Sequence, residues 1–396
     1  MARRSAAAGD DRNLPPPAAA SATRLVGHQA AERAFLGARD AGRMPHAWLI
    51  TGPRGVGKAT LAFRMARALL AAPEHPAGAG LFGEAPRAAT SLDMDPQLPV
   101  FRRIAELAHS DLRLLRRTLN DKGRLRAEIV IEDVRAAIEF LHLTPAEGAW
   151  RVLIVDAADE LNRNAANALL KILEEPRPKT VLILISHAPG RLLATIRSRC
   201  RRLALSPLPE ALVAAEVKAR VASLSGEDLH LLAALAQGSL GHALTLAETD
   251  ALSLFREIAR LLTQWPRFDT AGLHKLADRL TGRGAEREFE LGAELMIVIG
   301  ARFLNHAARG GEVAAVLYPG EAALTARWRE AAGLDRWLEL WEKVERLFAR
   351  VSSVNFDRRQ AWVTAWLALE TVEAGALEGP LAGDESRFGG PAPAFP

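Results

Sequence analysis

Gly52-Pro53-Arg54-Gly55-Val56-Gly57-Lys58 is the segment of this chain best suited to hold a phosphate. It follows the short apolar stretch His46-Ala47-Trp48-Leu49-Ile50-Thr51 and opens a run with helical period. In that setting the glycines let the backbone wrap an anion, and the N–H groups at the helix start point at it. Lys58 then reaches the β- and γ-phosphates. The next residue should be Ser or Thr, whose hydroxyl holds Mg²⁺, but it is Ala59. Thr60 does not take over, because one helical step turns the side chain by about 100°. A second element carries an acid: Val152-Leu153-Ile154-Val155-Asp156 is an apolar strand ending at the place of a metal-proximal aspartate. Ala157 beside it cannot orient a water, and Asp159 and Glu160 read as a solvated helix start. A phosphate cradle is present without the groups that handle metal and water.

The elements that position these residues alternate between two periods. Helical spacing covers 30–41, 59–70 and 164–173, the last closed by Glu174-Glu175-Pro176 because proline cannot continue a helix. Residues 46–51, 151–155 and 180–186 read as strands, the latter two as central parallel strands buried on both faces. A brief strand is expected at 129–131, leading into a helix from near Glu132. Residues 71–98, rich in Pro, Gly and Ala, read as a surface insertion. Alternation of this kind predicts a doubly wound α/β domain. From Pro209 to about residue 374 the period is helical throughout, with breaks at Gly238 and Gly241 and a division near residue 250. Trp265, Trp328, Trp337, Trp341, Trp362 and Trp366 crowd this half and read as core, since base stacking needs interleaved basic charge.

Composition narrows the classes. With 396 residues the chain suits about two or three domains. Its 51 Lys+Arg against 47 Asp+Glu give a net charge of +4, too mild to demand nucleic acid as a direct ligand. Cys200 is the single cysteine, so a disulfide framework and a multi-cysteine zinc site within the chain are excluded. No apolar run suits a signal peptide or a membrane span, and a cytoplasmic location is expected.

Asn167-Ala168-Leu169-Leu170-Lys171-Ile172-Leu173-Glu174-Glu175-Pro176, followed by Ile196-Arg197-Ser198-Arg199-Cys200, resembles the DNA polymerase III clamp-loader family. Gly27-His28-Gln29 and His46-Ala47 extend the likeness over about residues 24–250. The resemblance implies an α/β P-loop AAA+ domain, a parallel sheet with helices on both faces, then a small helical lid and an all-α collar. Its boundaries here are a disordered tail over 1–23, the AAA+ domain over 24–206, the lid over 207–250, the collar over 251–376 and a second tail over 377–396.

The same resemblance makes Arg199 an arginine finger that enters a neighbouring subunit's ATP site, where a guanidinium stabilises the transferring phosphoryl group. Hydrolysing members place a glutamate directly after the strand's aspartate and a sensor arginine in a Gly-Ser-x-Arg segment. This chain has Ala157 at the first place and Gly241 at the second. Three inert positions with the outward arginine kept resemble the delta-prime branch more than the gamma/tau motor. Delta-prime relatives often carry a four-cysteine zinc module, but 71–128 contains no cysteine, so no zinc is expected. Gly52, Gly55, Gly57, Lys58 and Asp156 form a degenerate nucleotide site, suited at most to weak ATP or ADP binding without efficient hydrolysis. The implied partners are gamma/tau and delta subunits in a pentameric ring, and the sliding clamp and primed DNA through that assembly. An independent enzymatic activity is not expected. An active motor of gamma/tau type remains the alternative, and a stand-alone DNA-binding protein a weaker one.

Overall fold

The computed structural model describes residues 14–71, 91–147, 150–310, 316–354 and 357–372. In chain order the first half contains α1 (Ala18–Ser21), α2 (Gln29–Asp40), β1 (Ala47–Thr51), α3 (Lys58–Leu70), α4 (Pro99–Ala105), β2 (Leu112–Leu115), α5 (Ile131–His142) and β3 (Arg151–Asp156). It continues with α6 (Arg163–Glu174), β4 (Thr180–Ser186), α7 (Ala194–Ser198) and β5 (Arg201–Ala204). The five strands form one parallel sheet in the order β2-β3-β4-β1-β5.

Period-two alternation divides the central strands between two apolar layers. Trp48, Ile50, Ile154 and Ile183 face Phe35 of α2 and Leu61 and Met65 of α3. Leu49, Leu153 and Leu184 face Val134 of α5, Leu169 of α6 and Ile196 of α7. Every residue of β1 and β4 is buried, which is why both read as apolar runs. The edges differ: in β5 only Leu203 is buried, and Arg201 and Arg202 give this edge strand the charge that discourages pairing with other chains. Neither β2 nor β5 carries an apolar run long enough to announce itself. The strand expected at 129–131 reduces to a single bridge between Ile129 and Leu161, and α5 begins at Ile131.

The expected tail over 1–23 needs correction from Leu14 onward; residues 1–13 lie outside the described residues. Ala20 is fully buried, and two buried arginines of α3 explain why. Arg67 donates to Ala20 O at 3.0 Å and Ala22 O at 2.7 Å, and Arg64 donates to Thr23 O at 2.5 Å. The segment therefore supplies carbonyls that buried guanidinium groups need. Of the expected insertion over 71–98 the structure describes residue 71 and residues 91–98, where Leu92 enters the core and Asp93 pairs with Arg64 at 2.8 Å.

The chain divides into two compact units: residues up to Pro209 with Ser239–Gly241, and Glu210–Gly238 with the residues from His242 onward. The second unit is helical among its described residues: α8 (Glu210–Arg220), α9 (Gly226–Leu235), α10 (Leu240–Ala247), α11 (Ala251–Leu262), α12 (Thr270–Thr281), α13 (Glu286–Ala308), α14 (Glu321–Ala331), α15 (Leu334–Val354) and α16 (Arg358–Thr371). Residue 250 falls between α10 and α11, inside this unit. The expected tail over 377–396 lies outside the described residues. Among those described, no helix is long and apolar enough to cross a membrane.

The tryptophans pack as core. Trp328 and Trp337 stack at 4.8 Å between ring centroids, and Trp366 meets Phe268 edge-on at 4.8 Å. Trp337 donates its indole N–H to Trp328 O at 2.7 Å, and Trp265 to Leu369 O at 2.9 Å. Gly300 of α13 lies so close to α15 that a Cβ there would sit 2.3 Å from the Trp341 ring. Gly300→Ala is thus expected to lower the unfolding free energy by about 2 kcal/mol, against a helix-propensity gain of about 1 kcal/mol. Urea unfolding checks it, and a variant more stable than the parent would contradict the close approach.

Candidate functional site

The phosphate loop joins β1 to α3 at the carboxyl end of the sheet, where open α/β sheets bind ligands. Gly52 adopts φ 146°, and a Cβ there would lie 2.3 Å from Leu205 O, so only glycine fits. Gly55 and Gly57 also take positive φ. Strand order completes the site. β4 lies between β1 and β3, with Ser186 opposite Thr51 and Ile185 opposite Asp156. Lys58, Asp156 and the residues after β4 therefore meet at one edge.

Lys58 is 3% exposed, and its ammonium donates to Gly52 O at 2.5 Å and to Pro53 O. Burial pushes it down to about 8 from 10.5; Asp156 and Asp159 oppose the shift and Arg54 adds to it. Asp156 is pushed up by burial, with Lys58 opposing. As pH rises, the folded chain therefore releases the Lys58 proton before the unfolded chain does. Between pH 8 and 10.5 the unfolded chain holds the extra proton, so this group makes stability rise with pH across that window and destabilises below it. Lys58→Met is the comparison to make, because burial raises the Cys200 thiol to about 12 and pulls the opposite way above pH 9. From pH 7.5 to 10 the parent should gain on the variant by about 1–3 kcal/mol in urea unfolding. A constant difference would contradict a desolvated ammonium.

Ala59 is packed against the apolar layer of α3, and Ala157 is buried. The residues present suit phosphate, through the loop and Lys58, but offer no hydroxyl for a metal at Ala59. Among the described residues no group of three or more His, Cys, Asp or Glu side chains could hold a metal ion. Gly241 packs with the first unit: its N–H donates to Gly55 O at 2.9 Å, and a Cβ there would meet Gly55 Cα at 3.0 Å. A larger residue at 241 would push against the loop.

Several partners escaped the sequence reading. Asp159 and Glu160 are not a solvated helix start: Asp159 accepts the His187 N–H at 2.9 Å, and Glu160 pairs with Arg117 at 2.8 Å and Arg54 at 3.4 Å. His187 follows β4, and burial, then Lys58 and Arg54, push its imidazole down to about 4, which keeps it neutral. Its signal was positional, the first residue beyond an apolar central strand. His28 donates to Val56 O at 3.0 Å.

Arg199 stands elsewhere. β5 enters the sheet with Arg201 opposite Trp48 and leaves with Ala204 opposite Thr51. Arg199, just before β5, therefore lies at the amino edge, and the phosphate loop lies beyond the other end of strands about 10 Å long. Its guanidinium is 3.0 Å from Glu174 and donates to Thr195 O at 3.1 Å and to Ser198 Oγ at 3.4 Å.

The parallel order and the glycine-rich loop between β1 and α3 define a P-loop module of the AAA+ type. Residues 27–209 match the family model described as DNA polymerase III, delta subunit. The chain is 39% identical over 195 residues to DNA polymerase III subunit delta' of Pseudomonas aeruginosa, covering 49% of this chain and 53% of that protein. To subunit delta' of Bacillus subtilis it is 32% identical over 166 residues, 42% and 44% of the two chains. To subunit tau of Escherichia coli it is 29% identical over 232 residues, 57% and 32%. The match thus spans about half the length of the delta-prime relatives. A gamma-subunit-related protein of Thermotoga maritima aligns over 83% of this chain and 95% of its own, with 18% identity and a TM-score of 0.38. The likeness to clamp-loader proteins of delta-prime kind resides in residues 27–209.

Proposed function

We propose that the chain is a delta-prime-like scaffold of the bacterial DNA polymerase III clamp loader and acts in an ATP site it does not own. The observation that carries this reading is the placement of Arg199 at the amino edge of the sheet, opposite the chain's own phosphate loop. A cation so placed is remote from the chain's own loop, as an arginine finger that serves a neighbouring subunit would be. The partners are gamma/tau and delta subunits in a pentameric ring, which loads the sliding clamp onto primed DNA. Residues 207–250 serve as the lid and 251–376 as the collar. The loop at Gly52, Gly55, Gly57 and Lys58, with Asp156 nearby, holds ATP or ADP weakly. Ala59, Ala157 and Gly241 leave it without efficient hydrolysis.

The deciding experiment is an ATPase assay on the purified chain beside the assembly reconstituted with gamma/tau and delta subunits, with and without Arg199→Ala. The isolated chain should be silent, and the variant assembly should lose clamp- and DNA-stimulated turnover. Turnover by the chain alone would favour a motor of gamma/tau type. Normal turnover by the variant assembly would remove the finger.

A further inference from the structure

Arg199 does not wave freely from the surface. Its helix, α7, is anchored by Ile196, which is fully buried in the layer beneath α6, and Cys200 packs against the same layer. Arg197 ties the preceding turn to it by donating to Pro189 O at 3.1 Å. From this base the guanidinium has three fixed neighbours. One Nη donates to Thr195 O, which also accepts the Ser198 hydroxyl at 3.1 Å, and to Ser198 Oγ. The other Nη meets Glu174 Oε1 at 3.0 Å. Glu174 is the last residue of α6 and precedes β4, so topology places it at the same amino edge as Arg199.

We propose that Glu174 is the positioning residue for Arg199: its carboxylate holds one edge of the guanidinium, so that the fork meets the neighbour's phosphate already oriented. This rests on the finger reading above and deepens it. A planar guanidinium has five N–H donors in a rigid arrangement, so fixing one Nη fixes the direction of all. Thr195 O, Ser198 Oγ and Glu174 engage three of the four Nη N–H groups, which leaves the Nε–H and one Nη N–H for an acceptor outside the chain. Both side chains are partly exposed, 36% for Arg199 and 50% for Glu174, so the pair contributes little to folding and its role lies in geometry. Preorganised donors act on the transition state without reordering at the moment of reaction.

The test uses the reconstituted assembly and four forms of this chain: parent, Glu174→Gln, Glu174→Asp and Arg199→Ala, with the Glu174→Gln/Arg199→Ala double variant beside them. Glu174→Gln is expected to lower the kcat of clamp- and DNA-stimulated ATP turnover about 5–20-fold, with KM for ATP within about twofold of the parent. Glu174→Asp, which keeps the charge, should recover most of that loss, and the unfolding midpoint of either variant should match the parent's. On Arg199→Ala, adding Glu174→Gln should change nothing further, because the two act as a unit. Unchanged or raised kcat in Glu174→Gln, a loss that persists on top of Arg199→Ala, or a loss that follows a lowered unfolding midpoint would each overturn the positioning role. If Arg199→Ala itself turned over normally, the finger reading would fall and this inference with it.

Discussion

A chain that starts after Ala22 should unfold about 3–5 kcal/mol more readily than the full chain, although the removed residues look like a linker. Arg67 is 1% exposed, stacks over Phe101 at 4.4 Å from the ring centroid, and has Ala20 O and Ala22 O as hydrogen-bond acceptors. Burial, then neighbouring Arg64, pushes its guanidinium down to about 10, which still leaves it charged at neutral pH. Without the segment, that charge faces an apolar layer with its acceptors gone, and Ala20 no longer covers α3. Arg64 suffers less, because Glu32 at 2.7 Å and Asp93 at 2.8 Å remain. Arg67→Met separates the causes. In the full chain it leaves two carbonyls unsatisfied, each costing about 1–3 kcal/mol. In the shortened chain those carbonyls are absent and the stranded charge leaves with the arginine, so the same substitution should recover part of the lost stability. Urea unfolding of all four chains measures the coupling, and additive effects would show that the segment is held by something other than Arg67.

That segment also marks where sequence reading stopped. Strands β1, β3 and β4 were legible because burial on both faces forces an unbroken apolar run, and the phosphate loop because its glycines and lysine have one rigid job. Strands β2 and β5 were not, because an edge strand pairs on one side only and tolerates Arg113, Arg201 and Arg202. Helical spacing over 59–70 says nothing of what Arg64 and Arg67 meet. Only the tertiary fold reveals that chain from 41 to 47 residues earlier covers them. The site divides the same way. Lys58 and Asp156 sit at fixed places on a loop and a strand end. Glu160 finds Arg54 at a separation of 106 residues, and Glu174 finds Arg199 across β4 and α7, which no local period encodes.

With Arg199 as the finger proposed above, its replacement by Ala should slow phosphoryl transfer at the neighbour's site about 10³-fold or more, a larger effect than any substitution in the chain's own loop. Ala59 and Ala157 already withhold metal and water handling from that loop, so little catalysis remains there to lose. At the neighbour's site the loss is of charge stabilisation in the transition state, so kcat should fall and KM stay near the parent's. Lysine should not restore it. An ammonium is a point charge, whereas the Arg199 fork is already held on two sides by Thr195, Ser198 and Glu174, in a direction that only a planar group can use. Folding should be indifferent, since an exposed ion pair is worth about 0–1 kcal/mol. An unchanged unfolding midpoint with stalled clamp loading would therefore separate catalysis from assembly. Sites that Arg199 does not reach would keep an uncoupled residue of ATP hydrolysis, so single-turnover measurement in the presence of clamp and primed DNA is the discriminating readout. Adding back the parent chain should restore loading in proportion to its share of the assembled rings, as the proposed supply of charge from one subunit to another requires.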